Sequence, residues 1–254
     1  MIKAIFFDID GTLLSHSKKQ VPLSTRKALE ELKRKGIQVV AATGRHLLEM
    51  EELPVNDIEF DAYITLNGQL CLDANKNLLF AHPIEGKEKE NIIQMFNEKK
   101  IPIMLVEKDR YYMNFVNEYV IQVQDEISTS IPPIGEYTGN DIYMLSVYLD
   151  EEQCQQVDFG NCRITRWNDL GIDVIASVGG KVVGIEKYLK YTNISREETM
   201  AFGDGENDIE MLEYVSIGVA MGNASDEVKA KADYVSDDID DDGLYHALKK
   251  WNVL

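Results

Sequence analysis

Two carboxylates one residue apart stand near the start of the chain, in Asp8-Ile9-Asp10-Gly11-Thr12. A carboxylate is already ionised at neutral pH and can attack phosphorus without a base to activate it. A second one beside it can carry protons, and the two together can share a cation. Gly11 allows a sharp turn and Thr12 offers a hydroxyl to fix it. Taken alone, the stretch suits an Asp-Gly turn closing a β-hairpin equally well. The choice depends on where Thr43, Lys181, Asp204 and Asp208 fall relative to it.

The elements around these residues bring them to one edge. Ile2 to Phe7 is an apolar run that reads as a buried strand, so Asp8 and Asp10 sit at its carboxyl end, where open α/β sheets bind ligands. A helix follows, with Ser24 as its expected N-cap, Ala28, Leu29 and Leu32 as its apolar stripe and Gly36 as its stop. Residues 37–41 form the next strand, and the βαβ spacing makes the two strands parallel. That strand ends at Thr43-Gly44-Arg45, which places Thr43 as Asp8 is placed. A helix is expected over 45–52, and Thr43 either caps it or helps its N-terminus bind an anion. Residues 60–65 read as a third strand leading to the hairpin signal Asn67-Gly68. Residues 199–202 read as a buried strand that runs directly into Gly203-Asp204-Gly205-Glu206-Asn207-Asp208. Parallel strand ends share an edge, so Asp8, Asp10, Thr43, Asp204 and Asp208 should converge. Each close carboxylate pair there costs roughly 4 kcal/mol at an effective dielectric of about 20. A divalent cation removes that conflict, and Mg²⁺ suits few carboxylates, waters and phosphate oxygens. Lys181, after Gly179-Gly180 at a helix start, supplies a fixed positive charge.

Between His82 and Lys181 the pattern changes to hairpins and successive strands with short turns, which indicates an antiparallel sheet. The expected organisation is α/β: a parallel-sheet core over 1–81 and 182–254, with an inserted α/β domain over 82–181. Composition narrows the partners. The 254 residues carry 44 acidic against 26 basic side chains, a net charge of −18, which disfavours nucleic acid and anionic membrane. The three cysteines, Cys71, Cys154 and Cys162, have no metal-site spacing and argue for a reducing compartment; a cytoplasmic location is expected. Three motifs fail. Gly203-Asp204-Gly205 has Asp208 where a dinucleotide fingerprint needs its third glycine, Gly180-Lys181 lacks the flanks of a phosphate-binding loop, and the Asp238 to Gly243 run lacks the Glu of a calcium loop.

The remaining motifs resemble the haloacid dehalogenase superfamily, in order and over nearly the whole chain. Asp8 to Thr12 matches its first motif, Thr43-Gly44-Arg45 looks like the second, Lys181 the third and Gly203 to Asp208 the fourth. The position of the insert, Asn67-Gly68 and Ala232-Asp233-Tyr234-Val235 are similar to the Cof-like branch of phosphatases. Val182 and Gln69 depart from that branch, where Gly and Ala are frequent. The resemblance implies a Rossmannoid core with a cap, and Mg²⁺-dependent hydrolysis of a small phosphorylated metabolite. It makes Asp8 the nucleophile and Asp10 the acid and base. It assigns the metal to Asp8, the Asp10 main-chain carbonyl and Asp204, with Asp208 orienting them. Phosphoryl oxygens fall to Thr43, the Gly44 amide, Lys181 and Asn207. Tyr111, Trp167 and Asn168 are the candidate substrate contacts in the cap, although packing explains any one of them equally well. Alternatives are a phosphomutase on the same fold and a non-catalytic phospho-accepting switch.

Overall fold

The structure, a computed structural model, describes residues 1–127 and 129–254. The chain packs as two units, residues 1–81 with 180–254, and residues 82–179.

The first unit begins β1 (Ala4–Phe7), α1 (Leu23–Arg34), β2 (Gln38–Ala42), α2 (Leu47–Glu52), β3 (Ala62–Thr65), β4 (Leu70–Asp73), β5 (Leu78–Ala81). The second unit contributes α3 (Gly86–Glu98), β6 (Ile103–Val106), β7 (Tyr111–Met113), α4 (Glu118–Glu126), β8 (Met144–Tyr148), α5 (Glu151–Cys154), β9 (Arg163–Asn168) and β10 (Gly171–Ile175). The chain then returns with α6 (Lys181–Thr192), β11 (Thr199–Gly203), α7 (Ile209–Tyr214), β12 (Ile217–Ala220), α8 (Asp226–Lys229), β13 (Tyr234–Val235) and α9 (Gly243–Lys250).

In the first unit eight strands run in the order β13-β12-β11-β1-β2-β3-β4-β5. β13 through β3 are mutually parallel, and β4 and β5 close the sheet as antiparallel hairpins. β1 therefore lies inside the sheet, between β11 and β2, with both edges paired. Its alternate residues go to opposite faces, as a strand buried on both sides requires. Ile5 and Phe7 pack with Leu29 and Leu32 of α1 and Leu244 and Leu248 of α9. Ala4 and Phe6 pack with Ile185 and Tyr188 of α6 and Leu212 of α7. These two apolar layers fix the level of β1, and through it the position of Asp8.

Three local expectations are corrected. Pro22, not Ser24, stands at the N-cap of α1, and the Ser24 hydroxyl donates to Asp242 instead. Proline serves there because its fixed φ suits a helix entrance. The helix expected from Arg45 begins at Leu47, where His46 accepts from Leu48 N and Glu49 returns a bond to His46 N, a capping box. The insert ends at Gly179 rather than at 181. Gly180 donates its N–H to Asn67 O (3.1 Å), and Lys181 opens α6, which packs on the first unit's sheet.

The second unit is a five-stranded antiparallel sheet, β7-β6-β8-β10-β9. Ile92 and Phe96 of α3 pack against Ile103, Leu105, Val147 and Val174 on one face. The strand order separates the candidate contacts read from sequence. Tyr111 lies on β7 at one edge, while Trp167 and Asn168 lie on β9 at the other. Four inter-strand steps put these edges about 19 Å apart. Trp167 donates Nε1–H to Asp173 (3.0 Å) and meets Tyr148 edge-on. Asn168 donates to Glu126 (2.9 Å) and accepts from Leu170 N (2.9 Å), so its side chain holds the β9–β10 turn.

The β3–β4 turn is tight where it meets the start of α6. Gly68 has φ +86, and a Cβ built on it lies 2.1 Å from Gly180 O. Gly68→Ala should therefore destabilise the protein by about 2–4 kcal/mol, from the left-handed backbone and the backbone clash together. Thermal unfolding checks this: an unchanged Tm would show that the turn can relax away from Gly180.

Candidate active site

Parallel pairing of β11, β1 and β2 brings their carboxyl ends side by side. Asp8 follows β1 directly, and its N–H continues the ladder to Phe202 O (3.0 Å). Asp8 is buried, with 6% of the residue exposed. Lys181 Nζ lies 2.5 Å from Asp8 Oδ1 and 2.6 Å from Asp208 Oδ1, and the lysine is 1% exposed. The other oxygen of Asp208 accepts from the N–H groups of Asp204 (3.0 Å) and Gly205 (2.9 Å). Asp208 thus ties the loop after β11 to the lysine. Gly11 is required on the facing loop: it has φ +79, and a Cβ there would lie 2.1 Å from Asp204 Oδ2.

Asp204 itself accepts from Thr12 Oγ1 (2.9 Å) and from Asn223 Nδ2 (3.2 Å). Asn223 also donates to Gly11 O (2.8 Å), clipping the first loop to the segment after β12. Asp10 points elsewhere. Arg45 grips it with two bonds, Nε to Oδ2 (2.9 Å) and Nη2 to Oδ1 (3.0 Å). Thr43 is buried, accepts from Arg45 N (3.1 Å) and holds Asn67 N through its carbonyl (3.0 Å). Gly44 lies against the Asn67 amide, and Asn207 Nδ2 donates to Asn67 Oδ1 (3.0 Å).

Thus Asp8, Lys181 and Asp208 are in direct contact, and Asp204 joins the carboxylate cluster. Thr43, Gly44 and Asn207 lie around Asn67. Arg45, Asn67 and Asn223 complete the site; the sequence reading placed Arg45 and Asn67 within motifs without a role at the site, and gave Asn223 none. The usable signal for Asn223 was its place just past a parallel strand, on the same edge as Asp8.

The charges explain the ionisation. Burial pushes the Asp8 carboxyl well above the usual range; Lys181 pulls it down, while Asp208, Asp204 and Asp10 push it up. Burial alone would depress the Lys181 ammonium, but Asp208 and Asp8 outweigh burial and raise it. Burial and then Asp208 push Asp204 up to about 7. Burial also opposes ionisation of Asp10, yet the Arg45 guanidinium prevails and lowers it. Four carboxylates (Asp8, Asp10, Asp204, Asp208) thus face two cations in contact with them, Lys181 and Arg45. Oxygens of Asp8, Asp204 and Asp208 all lie within 4.8 Å of one another. An all-oxygen, anionic set with unbalanced charge fits a hard divalent cation.

The haloacid dehalogenase-like hydrolase family profile matches residues 5–248. The 5-amino-6-(5-phospho-D-ribitylamino)uracil phosphatase YcsE of Bacillus subtilis is 30% identical over 258 residues, covering 98% of this chain and 96% of its own. Among solved structures, the subclass IIB sugar phosphatase BT4131 is 34% identical with a TM-score of 0.89, over 99% of this chain and 100% of its own. BT1666 of Bacteroides thetaiotaomicron is 33% identical with a TM-score of 0.90, over 100% of this chain and 96% of its own. Among the described residues no helix is long and apolar enough to cross a membrane.

The raised Asp204 value sets a pH dependence. The cation-free folded protein keeps this proton up to about 7, whereas an ordinary Asp releases it near 3.8. The folded state therefore binds more protons across that window, and its stability falls as pH rises through it. Asp10 has the opposite sign, but its depressed value acts below 3.8. In EDTA, Tm should decline from pH 5 to pH 8, and Asp204→Asn should lessen that slope, while Asp8, raised in the same direction, keeps part of it. A divalent cation should raise Tm more at pH 8 than at pH 5. Equal cation shifts at both would count against a cation at this cluster.

Proposed function

The chain belongs to the haloacid dehalogenase-like hydrolases and is a phosphatase, and from that premise we propose that it hydrolyses a small phosphorylated metabolite through an aspartyl-phosphate on Asp8. The observation that carries the proposal is the Asp8 carboxylate at the end of an interior strand, with the Lys181 ammonium 2.5 Å away and Asp204 and Asp208 alongside. Asp8 attacks phosphorus, and the bond from phosphorus to the leaving oxygen breaks. Asp10 protonates the departing alkoxide. Water then attacks the same phosphorus and gives a proton to Asp10, the bond to Asp8 breaks, and phosphate leaves. Thr43, the Gly44 amide, Lys181 and Asn207 are assigned to the phosphoryl oxygens, where negative charge develops.

Asp8, Asp204 and the Asp10 main-chain carbonyl are assigned as Mg²⁺ ligands, with Asp208 orienting them; the bound ion would offset the negative charge of nucleophile and phosphate together. The sugar phosphatase BT4131 and the phosphatase YcsE, whose substrate carries a phosphoribityl group, support a phosphosugar-like substrate here. The second unit is assigned the choice among such metabolites.

Two measurements test the reading. Asp8→Asn removes a covalent nucleophile and should lower kcat on the order of 10³-fold or more. Activity within about tenfold of the parent would overturn the assignment. EDTA should abolish turnover and Mg²⁺ should restore it, whereas Ca²⁺, with its larger and looser shell, should not. Full turnover after exhaustive chelation would remove the metal from the proposal.

A further inference from the structure

Arg45 is the cation of the site that no phosphoryl role has claimed, and its surroundings are built to hold it. Its side chain is 13% exposed. Its N–H donates to Thr43 Oγ1 (3.1 Å), and its carbonyl accepts from Leu66 N (3.3 Å). At the far end Nη1 lies 3.7 Å from Glu49 Oε1. Glu49 is itself fixed, because its Oε2 closes the capping box on His46 N (2.7 Å). The guanidinium thus stands between a helix-anchored carboxylate and Asp10, and presents two parallel donors to Asp10.

We infer that Arg45 is a positioning residue that holds Asp10 in its proton-accepting orientation and so serves the second half of the reaction, hydrolysis of the aspartyl-phosphate. This rests on the two-step reading above. The chemistry is directional. A guanidinium only donates, and its planar fork matches both oxygens of a carboxylate. With both bonds made, each Asp10 oxygen still has a second lone pair with which to accept a proton from attacking water. A guanidinium at both oxygens favours the carboxylate over the carboxylic acid, so it favours the unprotonated Asp10 that the hydrolytic step needs over the protonated one that the first step needs. In the hydrolytic step the attacking water forms a bond to phosphorus, its proton passes to Asp10, and the Asp8–phosphorus bond breaks with its electrons returning to the Asp8 carboxylate. Arg45 contributes orientation and takes no proton.

The test uses the full chain, Mg²⁺ and a ³²P-labelled aryl phosphate, whose good leaving group makes the first step insensitive to Asp10. Arg45→Ala should lower kcat by about 10- to 100-fold, in the range of lost acid–base catalysis, with KM changed less than about threefold. Acid-quenched samples should hold several times more labelled enzyme than the parent. Added guanidinium should restore turnover to Arg45→Ala. Arg45→Lys, a point charge without the fork, should keep the parent's Tm and still accumulate label. A rise in KM with unchanged kcat would overturn the inference and make Arg45 a substrate anchor. So would a lower kcat with no accumulation of label, or no rescue by guanidinium. If neither parent nor variant traps label at any quench time, and Asp8→Asn retains activity, the two-step reading itself fails.

Discussion

A buried ammonium between two buried carboxylates is the contact on which the rest of this site depends. Removing an ion from water costs several kcal/mol, and a buried pair recovers that only with good geometry and further hydrogen bonds. Lys181 meets both conditions, with Asp8 at 2.5 Å, Asp208 at 2.6 Å and two main-chain amides on the far oxygen of Asp208. The three residues come from the end of β1, the start of α6 and the loop after β11. None of these elements can shift without stranding a charge in the interior. That constraint fixes Asp8 more firmly than hydrophobic packing alone, since packing is non-directional.

The second carboxylate pair is arranged differently. Asp204 is held by neutral donors, Thr12 and Asn223, and burial together with repulsion from Asp208 outweighs the relief that Thr12 and Lys181 give it. Asp10 has a cation of its own. Two aspartates with one residue between them, Asp8 and Asp10, thus face different cations on different elements. Separate environments are how like groups acquire different tasks in one site.

Much of this was legible in the sequence, because parallel strands deliver their carboxyl ends to one edge. Asp8, Thr43 and Asp204 each follow a strand, and β2, β1 and β11 proved to be neighbours. Side-chain direction within loops was not legible. Nothing in the spacing of Thr43-Gly44-Arg45 says that the guanidinium turns back to Asp10, because no period governs a loop. Strand order in the second unit was also hidden. Hairpin signals name sequential partners, but β8 pairs with β6 and β10, so Tyr111 and Trp167 end on opposite edges. Ser24 was read as a cap from residue type, yet a partner distant in sequence, Asp242, takes its hydroxyl. The end of the insert was misplaced by two residues, because a glycine pair marks a boundary without saying which side each glycine packs on.

The place of β1 also has a consequence for synthesis of the chain. One of its neighbours, β2, follows within 40 residues, but Phe7 pairs on its other side with Phe202. At about 5–20 residues per second, that edge waits roughly 10–40 s for its partner to be made. During this time a four-residue strand of Ala, Ile and Phe has an unpaired edge, the kind of surface that seeds association between chains. The contiguous block from 82 to 179, a compact unit of its own, is made in the interval. Its ends leave from Ala81, paired with Leu70, and return at Gly180, bonded to Asn67, so both lie beside the same turn. A folded insert would therefore shorten the effective loop that β11 must close to reach β1. The strand that carries Asp8 is thus made long before the strand that shelters its second edge.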